Sequence, residues 1–313
     1  MPGTVVVTGA CGFLASHLVD ELLSKGYNVV GIDNLKTGNR ENLSSALEHK
    51  EFQLIVEDIL SETLYAKLPQ NVDILFHLAA IASVRKSIED PSLVNEINVR
   101  GTVQSLELVR KLDIKRVVFS SSAAVYGNPI DMPVHEDFPY TPLSPYAASK
   151  IAGEMYLNSY SKTYGIDTTI LRYFNVYGPR QAYSEYSGVI SIFINQALAN
   201  LPLTIEGSGK QSRSFIHVKD VVRATRLAGE IETAKNETIN ISGLELVSIL
   251  ELAQMVKNAV DGCTSKIVHT DARPSDVKDS IGSMNKARSI LSFAPEIPLD
   301  QGLRDTVRWY RDR

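Results

Sequence analysis

The chain has 313 residues, 44% of them apolar, and a net charge of −4. That length and apolar content support one large α/β domain or a domain with a smaller lobe. The acidic balance, with a pI near 5.9, argues against the basic surface of an obligate nucleic-acid binder, and no run of about 18 apolar residues is present to span a membrane.

The first predicted element is a buried strand through Val5-Val6-Val7, ending at Thr8. It reads as a strand rather than a signal peptide because no basic segment precedes it. Gly9 and Gly12 then predict a tight turn, and Phe13, Leu14, Leu18, Leu22 and Leu23 follow at helical spacing. Strand, glycine turn and helix in that order present free backbone N–H groups and the positive end of a helix dipole to an anion. Gly9 permits the sharp turn, Gly12 leaves room for a pyrophosphate, and Ala15 lets the helix pack closely on the strand. Cys11 sits within this turn and Cys263 far from it, without metal-ligand spacing. The pair predicts a reduced, cytoplasmic compartment and no metal site.

A second strand, Val29–Ile32, ends at Asp33. A carboxylate there can accept hydrogen bonds from both ribose hydroxyls of an adenosine and repels a 2′-phosphate, so the pattern predicts NAD over NADP. Lys36 is the nearest cation to that position. Further strands are predicted at Phe52–Val56, Asp73–Leu78, Arg116–Ser120 and Thr168–Arg172, with helical patterns at Glu62–Leu68, Leu93–Leu112 and Pro145–Tyr164. This alternation predicts a doubly wound parallel sheet of the Rossmann type, with ligands at the carboxyl ends of its strands. After Gly178-Pro179 the alternation becomes irregular, with helical patterns near Ile190–Ala199, Lys219–Ala228 and Ile249–Val260. The expected organisation is a cofactor-binding domain over 1–174, rejoined by about 216–242, and a discontinuous substrate-binding lobe over 175–313.

Tyr146 and Lys150 are four residues apart on the predicted helix and therefore share a face. An ammonium beside a phenol favours the phenolate, which predicts a lowered Tyr146 pKa and a base useful near neutral pH. Thirteen tyrosines make a chance Tyr-x-x-x-Lys common, but the preceding strand ends in Ser120-Ser121-Ser122, which puts hydroxyls where a substrate must lie. Ser122 can hold the same substrate oxygen as Tyr146.

With these elements in order, the sequence resembles the extended short-chain dehydrogenase/reductase family, and within it the nucleotide-sugar 4-epimerases. The resemblance rests on Thr8-Gly9-x-x-Gly12-x-x-Ala15, Asp33-Asn34, Asp58-Ile59, His77-Leu78-Ala79-Ala80, Asn98, the three serines, Tyr146-x-x-x-Lys150, Arg172 to Arg180, Arg213 to Val221 and Ala272 to Asp276. It implies NAD held by Gly9, Gly12, Phe13, Leu14, Asp33 and Asn34. Asp58 and Ile59 would lie at the adenine, Ala79 and Ala80 along the cleft, and Asn98 at the active-site floor. Tyr146, Lys150 and Tyr173 would complete the cofactor site. It implies a UDP-hexose substrate bound by Ser122, Asn175, Arg213, Arg273, Asp276 and Ser280, with Ser122, Tyr146 and Lys150 catalytic. The 4-hydroxyl would lose its proton to Tyr146 and its C4 hydride to NAD, and the resulting 4-keto sugar would take the hydride back on its other face. The sequence departs from the related dehydratases and decarboxylases at Ala123 and Ala124, where those enzymes carry acidic side chains. A reductase on the same scaffold and a non-catalytic dinucleotide sensor are the competing expectations. The small Ser280, seven positions after Arg273, is expected beside the sugar's C2 substituent, leaving room for N-acetylated hexoses. A homodimer paired through Leu93–Leu112 and Pro145–Tyr164 is also implied.

Overall fold

Chain order runs outward along a sheet, returns to its middle, and runs outward again. The computed structural model describes residues 3–182, 188–272 and 277–313. Among them, seven parallel strands form the central sheet: β1 (Thr4–Thr8), β2 (Asn28–Asp33), β3 (Phe52–Val56), β4 (Ile74–His77), β5 (Arg116–Ser122), β6 (Asp167–Tyr173) and β7 (Glu237–Ile241). Their order is β7-β6-β5-β4-β1-β2-β3. The direction of winding reverses between β1 and β4, where Thr8 lies opposite His77, and a crevice opens at the carboxyl ends of such a pair.

Both faces of the sheet are covered. Leu18, Leu22, Phe76, Val118, Leu171 and Val221 form one buried layer, and Val6, Leu75, Val109, Val117, Leu157 and Ile170 the other. Burial on both sides explains why these strands read as apolar runs rather than alternating ones. A separate cluster through Ile190, Phe193, Leu203, Leu252, Val256 and Leu303 is the core of the smaller lobe, built on helices Val189–Leu198, Ile249–Ala259 and Leu299–Arg311.

The helix Pro145–Tyr164 matches the predicted bounds because its ends carry strong signals. Ser144 accepts from Ala147 N–H, Pro145 opens the first turn, and Gly165 closes the helix in the left-handed conformation. Three expectations need correction. The predicted helix Leu93–Leu112 is broken into Pro91–Asn95 and Gly101–Lys111 by a π-helical turn, Glu96–Arg100. The predicted helix Glu62–Leu68 contracts to Leu64–Lys67. Strand β7 lies in a segment whose local pattern predicts no strand; parallel pairing of Ile239 and Ile241 with Leu171 and Tyr173 is a long-range event that local pattern does not announce.

Candidate active site

The crevice at the switch point is a cleft of about 1080 Å³. Its cofactor half starts at the turn after β1. Gly9 has φ +70°, and a Cβ placed there would stand 2.9 Å from the Ala79 Cα and 3.0 Å from its N. Only glycine permits that backbone conformation and that approach without strain. Gly12, Phe13 and Leu14 line the same wall, and the helix Phe13–Ser24 begins directly beneath it. Such a cradle, with a helix N-terminus behind it, fits the pyrophosphate of a dinucleotide.

Asp33 closes β2 as a buried carboxylate. Its Oδ2 accepts from Cys11 N–H at 2.9 Å and its Oδ1 from Leu35 N–H at 2.7 Å. Each oxygen keeps acceptor capacity for a ribose hydroxyl. Asn34 donates to Asp58 at 2.8 Å and accepts from Lys36 N–H at 3.1 Å. Burial raises the Asp58 carboxyl, but the Leu60 N–H, Asn34 and Lys36 together hold it below the usual carboxylate range. Lys36 Nζ lies 3.3 Å from Asp58, so the cation nearest the adenosine end already has an anionic partner. Ile59, Ala79 and Ala80 line the cleft.

Asn98 does not face the cleft. It is buried and acts as a brace. Its Oδ1 accepts from Ile81 N–H at 2.8 Å, and its Nδ2 donates to Ile81 O at 3.1 Å and Ser149 Oγ at 3.0 Å. The π-helical turn that interrupts the helix carries this side chain, a common placement for such turns. Tyr173 lines the cleft, but its hydroxyl is bonded to Thr225 Oγ1 at 2.8 Å and is turned into the core.

A buried relay that the sequence did not announce ties the two halves together. Thr8 Oγ1 accepts from Leu78 and Ala79 N–H, both at 3.1 Å. Its proton is thereby directed to His77 Nδ1 at 2.8 Å. His77 Nε2 then donates to Thr102 Oγ1 at 3.1 Å, and Thr102 donates to Asn98 O at 2.6 Å. This assignment of donors fixes a neutral imidazole. Burial first, and the Lys150 charge second, push its pKa down to about 3.

The reacting end lies at the close of β5. Ser122 Oγ accepts from Ala124 N–H at 3.2 Å, and its hydroxyl favours the Tyr146 phenolate. Tyr146 and Lys150 are both buried. The expected lowering of the Tyr146 pKa by Lys150 is not what the geometry gives. Burial raises the phenol, and the Ser122 hydroxyl is what works against it. Lys150 Nζ instead donates to Ser120 O at 2.7 Å and stands 5.9 Å from the Tyr146 ring centroid. Same-face spacing brings the two side chains together, but the carbonyl, not the phenol, takes the ammonium's hydrogen bond. Burial also pulls Lys150 down to about 8. The result is a phenol, a serine hydroxyl and a buried amine around one wall of the cleft, a set able to move a proton on and off a substrate hydroxyl.

The lobe supplies the far wall. Arg213 pairs in register with Ser280, and both line the cleft. Arg213 Nη1 donates to Ser212 O at 2.8 Å and Lys278 O at 3.2 Å. Asn175 donates to Ser214 O at 3.0 Å and also lines the cleft. Arg180, to which the sequence assigned no role, reaches the same space, with Asp20 at 2.7 Å. Arg273 and Asp276 lie outside the described residues.

Known proteins match this chain over nearly its whole length. Residues 5–242 match the model of the NAD dependent epimerase/dehydratase family. A putative UDP-glucose 4-epimerase of Methanocaldococcus jannaschii is 40% identical, with 98% of each chain covered. The crystal structure of a UDP-glucose 4-epimerase from Thermotoga maritima with UDP-glucose superposes with a TM-score of 0.92 at 34% identity, covering 99% of each chain. A UDP-N-acetylglucosamine 4-epimerase from Methanobrevibacter ruminantium, solved with UDP-N-acetylmuramic acid, superposes with a TM-score of 0.94 at 37% identity, covering 100% of this chain and 99% of the other.

Proposed function

Because this chain belongs to the NAD-dependent epimerase/dehydratase family, we propose that it is an NAD-dependent UDP-hexose 4-epimerase that interconverts UDP-glucose and UDP-galactose and accepts the N-acetylated pair. The observation that carries this reading is the convergence of Ser122, Tyr146 and Lys150 on one wall of the cleft that Gly9 and Asp33 open onto. Bound NAD supplies a reversible acceptor for the C4 hydride. Tyr146 takes the proton of the sugar 4-hydroxyl and returns it after the sugar has presented its other face. Ser122 holds the same oxygen, and the Lys150 ammonium supplies positive charge beside the Tyr146 phenolate that accepts the proton. Arg213, with Asn175 and Arg273, binds the diphosphate, where guanidinium forks match the oxygens. Asp276 binds the nucleoside ribose.

Ala123 and Ala124 directly follow the serine on the cleft wall. Neither can exchange a proton with C5 or C6, which weighs against water elimination. The intact triad weighs against a sensor, and net consumption of reduced cofactor separates a reductase from an epimerase. We also infer that 1–174 with 216–242 binds the cofactor and that the remaining lobe binds the substrate. A homodimer through Leu93–Leu112 and Pro145–Tyr164 is supported by the exposed positions Ala148, Met155 and Ser159 on the second of these segments. Two free cysteines fit the cytoplasm. The deciding experiment incubates the protein with UDP-glucose, UDP-galactose and their N-acetylated counterparts and resolves the products chromatographically. Conversion in both directions without net change in the cofactor is expected. No conversion of any of the four refutes the proposal.

A further inference from the structure

The helix Pro145–Tyr164 carries a third buried polar group in line with the first two. Tyr146, Lys150 and Glu154 are each four residues apart and all buried. Four donors converge on the Glu154 carboxylate. Its Oε1 accepts from Ser121 Oγ and from Arg172 Nε at 3.0 Å, and its Oε2 accepts from Tyr140 OH and Arg172 Nη2, both at 2.7 Å. Arg172 also donates to Tyr126 OH at 2.7 Å, Tyr140 OH at 2.8 Å and Glu136 O at 2.9 Å. A buried ion pair gains little net stability over apolar residues of the same size. Stability therefore gives no sufficient reason for this one, which lies directly behind the reacting groups.

Its surroundings suggest one. Lys150 Nζ is one helical turn from Glu154. It bonds the Ser120 carbonyl and stands 5.1 Å from the Phe119 ring centroid, so its hydrogen-bond partner is uncharged. The titratable groups near it are Tyr146 and Glu154 from its own helix and His77 from β4; Arg172 from β6 and Tyr140 from the segment leading into the helix bond Glu154 instead. His77 is neutral, and of these groups only Glu154 opposes the effect of burial on Lys150. Ser121, which Glu154 grips, lies between Ser120, whose carbonyl holds Lys150, and Ser122, whose hydroxyl meets Tyr146.

We propose that Glu154, locked by Arg172, is a positioning residue for the Tyr146–Lys150 pair: its charge sustains the buried ammonium, and its grip on Ser121 fixes the strand end from which Ser120 and Ser122 reach the pair. The inference rests on the roles given to Tyr146 and Lys150 above.

The sign of the effect follows from the charge. Glu154→Gln removes an anion and leaves Arg172 uncompensated, so the local potential becomes more positive. Both Lys150 and Tyr146 then lose their protons more easily, and both titrations move to lower pH. The test uses the NAD-bound protein. The Tyr146 phenolate is titrated as the near-ultraviolet difference between each protein and its Tyr146→Phe counterpart, which needs no substrate. In Glu154→Gln its midpoint is expected about one pH unit lower, with the acid limb of the kcat profile moving alongside. A purely structural role lowers the profile without displacing it. Because a lone buried guanidinium can prevent folding, the double variant Glu154→Leu with Arg172→Met is measured in parallel. It is expected to shift in the same direction by about half as much, since Glu154 is the partner that acts on Lys150. An unmoved midpoint in a folded variant overturns the proposal. So does failure of both variants to fold, because the pair is then an element of the core alone. If the parent protein converts no UDP-hexose, the function proposed above falls, while the phenolate titration still decides this inference.

Discussion

Thr8→Val isolates the relay that joins the phosphate turn to the reacting end. The two side chains have nearly the same volume and both are β-branched, so β1 keeps its packing and its propensity. What changes is the hydroxyl. Thr8 is fully buried, and its Oγ1 serves Leu78 N–H, Ala79 N–H and His77 Nδ1. The buried His77 Nδ1 and two part-buried N–H groups therefore lose a partner at once. A buried unsatisfied group costs about 1–3 kcal/mol, and the partial exposure of the two N–H groups holds the sum to about 2–4 kcal/mol. Relaxation after that loss moves Ala79, whose backbone limits the space at Gly9, so NAD affinity falls as well. Urea unfolding of the cofactor-free protein measures the first effect, and titration with NAD measures the second. A loss below about 1 kcal/mol with unchanged NAD affinity would show that the hydroxyl is not the hub the hydrogen bonds describe.

Three further outcomes are expected. Tyr146→Phe should lower turnover by about 100- to 10,000-fold while leaving fold and NAD binding intact; retention of more than half the turnover removes Tyr146 from its role. Wild type should convert UDP-N-acetylglucosamine as well as UDP-glucose, and Ser280→Tyr should lose the N-acetylated substrate selectively by about 10-fold or more; an unchanged ratio excludes Ser280 from the C2 pocket. His17, His77 and His217 have pKa values pushed down to about 4, 3 and 4, chiefly by burial. Below their ordinary value the unfolded chain binds protons that the folded one refuses. Their contribution to stability is therefore complete above about pH 6.5 and is lost as the pH falls toward 4, at up to about 4 kcal/mol per pH unit with all three acting. Unfolding free energies at pH 7, 6 and 5 test this, and a flat profile refutes it.

The features legible in the sequence are those whose physics is local. Gly9, Gly12, Asp33 and the pair Tyr146–Lys150 sit at fixed offsets from strand ends or helix caps, so spacing alone places them at the cleft. The features that escaped are those fixed by distant partners. Nothing adjacent to His77 indicates that it will meet Thr8 and Thr102, which are 69 and 25 residues away. Asn98 was expected in a continuous helix, yet its bonds to Ile81 and Ser149 accompany a wider turn. Glu154 and Arg172 read as ordinary charges on a helix and a strand, and only β6 beside β5 makes them a buried pair.

The error about Lys150 has the same origin. A helical offset of four establishes that two side chains share a face, but not which acceptor takes the ammonium. Ser120 O, offered by a strand 30 residues earlier, takes it at 2.7 Å. With that bond made, the phenol is raised by its burial and opposed by Ser122, so in this site the hydroxyl at the strand end carries more of the tuning than the lysine spacing implied. Ser122→Ala should therefore do more than remove a substrate contact. It removes the hydroxyl that favours the Tyr146 phenolate, and the acid limb of the kcat profile should move to higher pH. Substrate positioning alone lowers kcat or raises KM at every pH without moving that limb. A limb that stays in place in Ser122→Ala would return the tuning of Tyr146 to Lys150 and its surroundings.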